Sequence, residues 1–532
     1  MGAIIRQASA ADSTAWLELL KSTLGSDYPD RQVYDPAWVK HQLAGLGGDE
    51  TWVVESNGRL EASLSFLGPS LPNRNPIANL GRDLLRAEAW TNGSAKALLT
   101  KMMEMVTERR QLAIARVLAS DNPRQILYEQ LGFVCVGFQP CKHTLRAREG
   151  VLFYVCHTQP QKHARLPLSE SLPQVSELAI TVLNNLEMAP APSVRDGATG
   201  YPLQAEVQFE ETLFANYQQA RDQAKSQNPP TEISGGGSLG WGWMRIVGGA
   251  PIRALLCRYG QRLGAGIAFA VDDRDRCMRI IDGFGTDDLS MGPVLNRAVK
   301  LAQEKYNAVY VEVDVLMTAP RFLKCAEQIG FVPVAYLPGF HFRDVGVTHV
   351  DVVKLVKLNL AYGPENATLT THAKTITEIV DRTFHDQKAG VAIINLLRGL
   401  SIFEGLGDGE LRKISRLFTQ KLYRADERVF AKGDSGSEAY IVMRGQVDIL
   451  LEEGAKPIAS MGNGQILGEL AFLDGAPRTA LAVATQPSIL LVVQREAFND
   501  LAQREPHLGM VVMRNVALEL SNRLRRTTAP PR

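Results

Sequence analysis

The sequence has no excess of charge of either sign. Its 532 residues include 58 lysines and arginines against 57 aspartates and glutamates, so the formal net charge at pH 7 is +1. Proteins that hold nucleic acid or an anionic membrane through general electrostatics carry a basic excess. We therefore expect neither nucleic acid nor a membrane as a partner.

Cysteines and long apolar runs are scarce as well. The six cysteines include no Cys-x-x-Cys pair, so we predict reduced thiols and no metal site. No run reaches the roughly 18 apolar residues of a membrane span, and the first residues, MGAIIRQASAADS, lack the apolar core of a signal peptide. We expect a soluble protein located in the cytoplasm.

The sequence does contain a segment suited to a phosphate group, GQILGELAFLDGAPRTALAVA, at residues 464–484. Gly468 allows the backbone to approach a ligand closely. The N–H groups of Leu470 and Ala471, at the start of a short helix, favour an anion. Arg478 offers a planar fork of donors that matches phosphate geometry. These residue types together predict a phosphate-binding site.

This segment resembles the phosphate-binding cassette of cyclic nucleotide-binding domains, the type found in protein kinase A regulatory subunits and catabolite activator proteins. The resemblance implies that Glu469 accepts a hydrogen bond from the ribose 2′-OH. It also implies a cyclic nucleotide as the allosteric ligand, cyclic AMP in preference to cyclic GMP, although a Thr at position 479 accompanies cyclic GMP in related cassettes. The residues that it assigns to the nucleotide are Gly468, Glu469, Leu470, Ala471, Arg478 and Thr479.

The fold that this resemblance implies for residues 401–532 is mainly β. It consists of a helix, a β-roll of short strands that includes the cassette, and a lid helix from Leu508 to Arg525. The alternative is a cupin-like β-roll in which Glu469 and Arg478 form only a surface ion pair. The two interpretations differ in whether the arginine faces an internal pocket.

Residues 1–158 have the pattern of an α/β domain. Asn57 and Gly58 form the two-residue turn of a predicted hairpin. The stretch that ends near Glu88 is predicted to be extended, a helix is predicted to begin at Thr91 and Asn92, and DNPRQILYEQLGF is predicted to be a further helix. This order resembles the GNAT acetyltransferase superfamily.

The GNAT resemblance implies a site for acetyl-CoA or another acyl-CoA as cosubstrate. Asn122 would contact the pantetheine arm, and Tyr128 would donate a proton to the departing thiolate. In WTNGSA the pyrophosphate cradle would be Gly93, Ser94 and Ala95, although a tryptophan stands where the family has Arg or Gln. Glu88 is the best candidate for a general base. The alternatives are that Tyr128 is a half-buried helix aromatic and that Glu88 is a solvated residue at a strand end.

An internal repeat predicts a second copy of this fold at residues 168–360. GFVCVGFQPCKH and GFVPVAYLPGFH are offset by 198 residues, from Gly132 to Gly330. Ala326 stands where the first copy has Tyr128, and Pro293 removes an N–H from the second phosphate loop, so this copy is predicted to be degenerate. Residues 159–167 are predicted to be a linker, QFEETLFANYQQARDQAKSQ a helix, SGGGSLGWGW a mobile loop, and residues 361–400 a helical connector.

Two functions follow from this multidomain architecture. In the first, the protein is a cyclic nucleotide-regulated N-acetyltransferase that uses acetyl-CoA, with protein lysine as the acceptor. In the second, both GNAT-like copies are inactive and the chain is a cyclic nucleotide-responsive binding scaffold. A DNA-binding regulator is not expected, because only a short basic tail follows the predicted lid helix.

Overall fold

The computed structural model describes residues 3–25, 28, 31–68, 77–109, 112–145, 147–166, 170–188, 193–194, 200–227, 231–232, 251–343, 348–360 and 368–528. The chain forms two compact units, residues 1–384 and 385–532. The loop predicted at Ser234–Trp243 lies outside the described residues. Within the described ranges, no helix is both long and apolar enough to cross a membrane.

The first half of the first unit is one lobe built on a seven-stranded part of a sheet. Its strands are β1 (Ile4–Gln7), β2 (Glu50–Ser56), β3 (Arg59–Phe66), β4 (Ile77–Leu85), β5 (Leu112–Leu118), β6 (Val134–Thr144) and β7 (Arg148–His157). Its helices are α1 (Ser13–Leu24), α2 (Pro36–Leu43), α3 (Ala87–Thr91), α4 (Ser94–Glu108) and α5 (Asn122–Gln130), with α6 (Gln159–Ala164) after the last strand. The strand order is β1-β2-β3-β4-β5-β7-β6. β4 and β5 pair in parallel.

The second half of the unit repeats this strand order in a second lobe. Its strands are β8 (Glu170–Ser171), β9 (Ser193–Val194), β10 (Gln208–Leu213), β11 (Thr231–Glu232), β12 (Arg253–Tyr259), β13 (Arg262–Asp272), β14 (Cys277–Gly285), β15 (Tyr310–Leu316), β16 (Val332–Arg343) and β17 (Thr348–Leu358). Its helices are α7 (Pro173–Asn185), α8 (Phe214–Gln227), α9 (Met291–Glu304) and α10 (Pro320–Ile329). The order β10-β12-β13-β14-β15-β17-β16 matches the first lobe, and β14 and β15 are again parallel.

The two lobes share one continuous sheet. β6 of the first lobe pairs with β16 of the second, with Gly137 opposite Ala335. A Cβ atom at Gly137 would lie 2.1 Å from the Cβ atom of Ala335, which is too close for two non-bonded carbon atoms. Glycine therefore permits the close approach of the two strands.

In each lobe the central parallel strands pair only over their first half. In the first lobe the pairing runs from Ile77 opposite Leu112 to Leu80 opposite Ala115. An irregularity in the β3–β4 register follows, and Arg82 has a left-handed φ of 52°. β-bulges bend a strand and end its pairing, and beyond Leu80 the described residues of β4 and β5 are not paired with each other. We call this unpaired stretch the wedge. The second lobe has the same short parallel pairing, with a register shift between β13 and β14.

Three local predictions for this unit were wrong. Glu88 lies in helix α3 and not in an extended stretch, because Ala87 to Ala89 favour a helical turn that is too short to show periodicity. The predicted helix at residues 208–227 begins as strand β10, whose six residues pair with β12. The predicted linker contains helix α6. In addition, α4 begins at Ser94, three residues after the predicted start.

The second unit is a β-roll followed by helices, which confirms the predicted fold of the C-terminal region. Its strands are β18 (Thr419–Tyr423), β19 (Arg428–Phe430), β20 (Glu438–Arg444), β21 (Val447–Leu450), β22 (Ala459–Met461), β23 (Ile466–Leu467), β24 (Leu481–Ala484) and β25 (Ser488–Gln494). They form two sheets, ordered β18-β25-β20-β23 and β19-β24-β21-β22. The helices are α11 (Thr371–Arg398), which contributes residues to both units, α12 (Asp408–Ser415), α13 (Glu469–Asp474), α14 (Arg495–Arg504) and α15 (Pro506–Thr528).

Strand alternation explains why this roll has two cores. In β20, Tyr440 and Val442 pack with Leu490 inside the roll. The intervening Ala439 and Ile441 face the opposite way and pack in the cluster that contains residues of α14 and α15. Successive side chains of a strand point to opposite faces, so one strand supports both the interior of the roll and the helical layer.

Candidate anion-binding pocket

The predicted cassette is a tight turn between β23 and α13. Gly468 is the residue before α13 and has a left-handed φ of 77°. A Cβ atom here would lie 2.5 Å from Nη1 of Arg478. Both the backbone conformation and the space therefore require glycine at this position.

Arg478 is held inside the roll by the backbone. Its side chain is 4% exposed. Nη1 donates to the carbonyl oxygen of Gly468 at 2.9 Å, and Nη2 donates to the carbonyl oxygen of Glu438 at 2.8 Å. The buried Nε has no hydrogen-bond partner within the described part of the chain. A buried cationic group with an unused donor is costly unless an anion or polar ligand pairs with it.

Arg478 lines a cavity of about 280 Å³ that also contains the other predicted cassette residues. This volume is near the lower end of the roughly 300–1,000 Å³ typical of ligand pockets. The cassette residues on its wall are Gly468, Glu469, Leu470, Ala471, Arg478 and Thr479. Its other lining residues are mainly apolar: Phe430, Ile449, Ile458, Ala459, Met461, Leu467 and Ala480. The cavity therefore combines a buried positive charge with a mainly apolar lining.

The six cassette residues differ in exposure in a way that suits a ligand with one polar end. Ala471 is buried and Glu469 is half-buried, whereas Leu470 and Thr479 are exposed. The cupin-like alternative requires Arg478 in a surface ion pair. Because Arg478 is buried and bonded to two backbone carbonyls, that alternative does not describe it.

Several residues that hold the arginine have no signature in the sequence. A Cβ atom at Gly436 would lie 2.6 Å from Nη2 of Arg478, so a second glycine makes room for the guanidinium. Glu438 contributes its carbonyl oxygen, and its carboxylate accepts hydrogen bonds from Tyr440 and, at 2.8 Å, from Gln494. Burial opposes ionisation of Glu438, but these bonds and Lys421 outweigh it and lower its pKa.

A larger groove of about 880 Å³ lies elsewhere in the same unit. It is lined by Leu422, Tyr423, Arg444, Gly445, Asn463, Gln486, Pro487, Ser488 and Ile489. Arg444 is exposed, so its charge is screened by water. The smaller cavity around the buried Arg478 is the better candidate for an anion site.

In the first unit, the predicted pyrophosphate cradle lies at the start of α4. Gly93 has a φ of 83°, and Ser94 donates from its backbone N–H to Oδ1 of Asn92 at 2.9 Å. The Glu61 carboxylate accepts from Asn92 at 2.9 Å and from the Ser94 hydroxyl at 3.0 Å. The bond from Asn92 is the main cause of a lowered pKa at Glu61. A carboxylate thus already stabilises this helix start, and the arrangement does not fit a pyrophosphate as it stands.

The predicted catalytic residues of the first lobe lie in different environments. Tyr128 is 3% exposed and packs edge-on against Phe133, with ring centroids 5.0 Å apart. Burial, and next the charge of Asp83, raise its pKa well above 10. Asn122 is half-buried at the first position of α5, and Glu88 is exposed on α3.

Asp83, which the sequence analysis did not identify, contributes to the raised pKa of Tyr128. Asp83, on β4, accepts from Nε of Arg124 at 2.8 Å. Arg124 also pairs with Asp121, which caps α5. Burial raises the pKa of Asp83 despite the opposing charge of Arg124. The strand that carries Asp83 was predicted, but the pairing of Asp83 with Arg124, which is 41 residues away, has no signature in the sequence.

The profile of the family described as "Cyclic nucleotide-binding domain" matches residues 420–505. The Cyclic AMP receptor protein of Thermus thermophilus is 33% identical over 132 residues, which is 24% of this chain and 59% of that protein. The cAMP-dependent protein kinase regulatory subunit of Yarrowia lipolytica is 34% identical over 100 residues, which is 19% of this chain and 26% of that protein.

The chain also matches part of a solved structure. A cyclic nucleotide-binding domain from Methylobacillus flagellatus is 27% identical, with a TM-score of 0.25, and the match covers 26% of this chain and 80% of that one. This chain spans 59% or less of the length of the two relatives above. The matched segment contains the buried arginine, the left-handed glycine and the cavity between them. Residues 420–505 are a cyclic nucleotide-binding domain.

Proposed function

We propose that the protein is a cyclic nucleotide-responsive regulator whose ligand, cyclic AMP in preference to cyclic GMP, binds in the Arg478 cavity. The observation that carries the proposal is the buried guanidinium with an unused donor on the wall of a pocket that is otherwise mainly apolar. The names of both relatives described above refer to cyclic AMP.

The charged and the apolar lining residues each suit one part of such a ligand. The cyclic phosphate pairs with Arg478 and with the N–H groups at the start of α13. The Glu469 carboxylate accepts from the ribose 2′-OH, the free hydroxyl of a 3′,5′-cyclic nucleotide. The flat, weakly polar purine packs on the apolar wall that includes Ile449 and Met461.

Isothermal titration calorimetry of the full chain with cyclic AMP, cyclic GMP and acyclic 5′-AMP tests this proposal. We expect cyclic AMP to bind most tightly and 5′-AMP to bind weakly, because the acyclic phosphate carries an additional charge and lacks the ring. Ligand at about 100 times its Kd should stabilise the fold by about 2.7 kcal/mol, visible as a rise in Tm. No binding of either cyclic nucleotide would overturn the proposal.

We further propose that the first unit is a tandem GNAT-like unit that acts as an N-acetyltransferase on protein lysine. The repeated strand order and the wedge between the central parallel strands support this, because unpaired strand edges accept an extended ligand with amide groups, such as pantetheine. Acetyl-CoA would supply the acyl group. Asn122 would hold the pantetheine arm, and Tyr128 would hold the proton that the thiolate receives.

A catalytically inactive, nucleotide-responsive scaffold is the second candidate. The Glu61 carboxylate at the start of α4 and the burial of Tyr128 favour it. Thermal shift with acetyl-CoA, followed by an acetyl-transfer assay on a lysine peptide with and without cyclic AMP, separates the two. Cyclic AMP-dependent transfer supports the acetyltransferase; nucleotide binding with neither acetyl-CoA binding nor transfer supports the scaffold.

A further inference from the structure

The long helix α11 begins on the helix that carries Tyr128. Thr370, the residue before α11, donates from its hydroxyl to the Glu129 carboxylate at 2.5 Å. Its backbone N–H donates to Oε1 of Gln125 at 3.1 Å. Gln125 and Glu129 both lie on α5. The start of α11 is therefore bonded to two successive turns of α5.

These bonds belong to a partly buried cluster in which Gln125 and Tyr154 are buried and Glu129 and Thr370 are half-buried. Gln125 is fully buried and donates to the carbonyl oxygen of Ala119 at 2.9 Å. The Tyr154 hydroxyl donates to the same carboxylate oxygen of Glu129 at 3.1 Å. The Thr370 hydroxyl also accepts from the N–H of Ala373 at 3.4 Å, so it caps α11. We call Gln125, Glu129, Tyr154 and Thr370 the α5 anchor.

The α5 anchor is adjacent to the residues proposed for acyl transfer. Glu129 follows Tyr128 in the sequence, and the rings of Tyr154 and Tyr128 are stacked with centroids 6.4 Å apart. Because α5 is a single short helix, a change in the anchor changes the position or stability of the turn that holds Tyr128.

In the first unit, the first half of α11 is an integral part of the core. Ala373, Ile376 and Val380 are fully buried, and Phe384 is nearly so. These residues belong to the main hydrophobic cluster of that unit. If this half of α11 moved, its buried side chains would have to repack against their neighbours.

In the second unit, the last turns of α11 are equally well packed. Ile393 and Leu397 belong to the core cluster that includes residues of α14 and α15. The segment that follows them is bonded to α15, where Asn515 donates to the carbonyl oxygen of Glu404 at 2.8 Å. One covalently continuous helix thus ends in the domain that binds nucleotide and begins on α5.

We propose that α11 transmits the nucleotide state to the acyl-transfer site through the α5 anchor, with Thr370 as a positioning residue for Tyr128. The inference rests on the proposed function, because it takes cyclic nucleotide as the signal and α5 as the controlled element. Thr370 is not one of the residues proposed to hold either ligand; it acts through Gln125, Glu129 and Tyr154, whose hydroxyl lies 3.4 Å from the Thr370 hydroxyl.

Hydrogen exchange of the full chain tests the inference without an activity assay. Exchange of the α5 amides, residues 122–130, is measured with and without saturating cyclic AMP, and calorimetry gives the nucleotide affinity of every variant. We expect nucleotide to change α5 exchange in the natural protein and Thr370→Val to lose that change while keeping its nucleotide affinity. Thr370→Ser, which keeps the hydroxyl, should retain the change.

Thr375→Val is the matched control, because the Thr375 hydroxyl is exposed on the same helix and donates only to the carbonyl of Thr371. It should behave like the natural protein. A nucleotide-dependent change that survives in Thr370→Val, or nucleotide binding without any change in α5 of the natural protein, overturns the inference alone. Failure of the natural protein to bind cyclic nucleotide overturns the proposed function and this inference with it.

Discussion

The guanidinium carbon of Arg478 lies 4.4 Å from the centroid of the Phe430 ring. This cation–π contact adds to the two backbone carbonyls that accept from the same side chain. The positive charge is therefore fixed before a ligand arrives, which reduces the ordering cost of binding. Two of these three contacts come from residues more than 35 positions away in the sequence, on β19 and β20.

Arg478→Lys should weaken cyclic AMP binding by about tenfold or more, because a point charge replaces a planar fork and a charge-assisted bond of about 1.5–3 kcal/mol is lost. Calorimetry on the full chain measures the change in Kd. Arg444→Lys, at an exposed arginine of the same unit, is the control and should leave Kd unchanged. Equal affinities for the natural protein and Arg478→Lys would remove Arg478 from the site.

Two glycines beside the guanidinium should be intolerant of a methyl group. Gly468→Ala adds left-handed strain of about 1–2 kcal/mol and places a Cβ atom 2.5 Å from Nη1 of Arg478. Gly436→Ala adds the steric conflict alone. We expect both to lower nucleotide affinity, and Gly468→Ala to lower Tm as well.

The matched control for this pair is Gly454→Ala. Gly454 has a similar φ of 78°, but a Cβ atom there would meet nothing within 4 Å. It should lose some stability through strain and keep its nucleotide affinity. If Gly454→Ala weakened binding as much as Gly468→Ala did, the effect would be general strain in the roll and not the geometry around Arg478.

Tyr128→Phe should lower acetyl transfer and leave acetyl-CoA binding intact. Because burial raises the pKa of Tyr128 well above 10, the phenol keeps its proton through the alkaline range. In the proposed acetyl transfer, the natural protein should therefore show no loss of kcat between about pH 8 and pH 10 from ionisation of this group. Steady-state kinetics across this range provide the measurement.

Tyr310→Phe, at a fully buried tyrosine of the second lobe, controls for the loss of a buried hydroxyl. It should alter stability more than kcat. The contrary result would be a fall of kcat at alkaline pH in the natural protein, with an apparent pKa near the ordinary value for tyrosine. If that fall were absent in Tyr128→Phe, the pKa of Tyr128 would not be raised by burial.

Glu61→Gln should strengthen acetyl-CoA binding. The lowered pKa of Glu61 keeps a negative charge at the start of α4, where it repels a pyrophosphate. Removing this repulsive charge should make acetyl-CoA binding more favourable by about 0.3–1 kcal/mol, which is roughly a twofold to fivefold fall in Kd. Glu104→Gln, in the last turns of the same helix, should have no effect. Unchanged affinity in Glu61→Gln would show that the pyrophosphate does not approach this helix.

The contiguous part of the pocket could be predicted from the sequence, and the remote part could not. Gly468 and Arg478 are ten residues apart in one turn, so their chemistry is visible in a single segment. Phe430 reaches the arginine through the pairing of β19 with β24, whose register the chain alone does not specify. Gly436 reaches it from the connection between β19 and β20. Neither residue lies in a motif that marks an anion site.

In the first unit, the presence of two similar lobes followed from the sequence better than the local details did. The repeat around Gly132 and Gly330 predicted two similar lobes, because turns and buried strands leave strong patterns. Glu88 was misplaced because a five-residue helix has no measurable period. β10 was predicted as helix because its glutamines and glutamates favour helices, but its pairing with β12 outweighs that preference.

The close approach of Gly137 to Ala335 couples the structure of one lobe to that of the other. Since a methyl group at position 137 would drive β6 and β16 apart, substitutions there would disturb both lobes of the continuous sheet at once. The two lobes therefore cannot change independently at this strand pair, because each must keep the residues that let β6 and β16 approach.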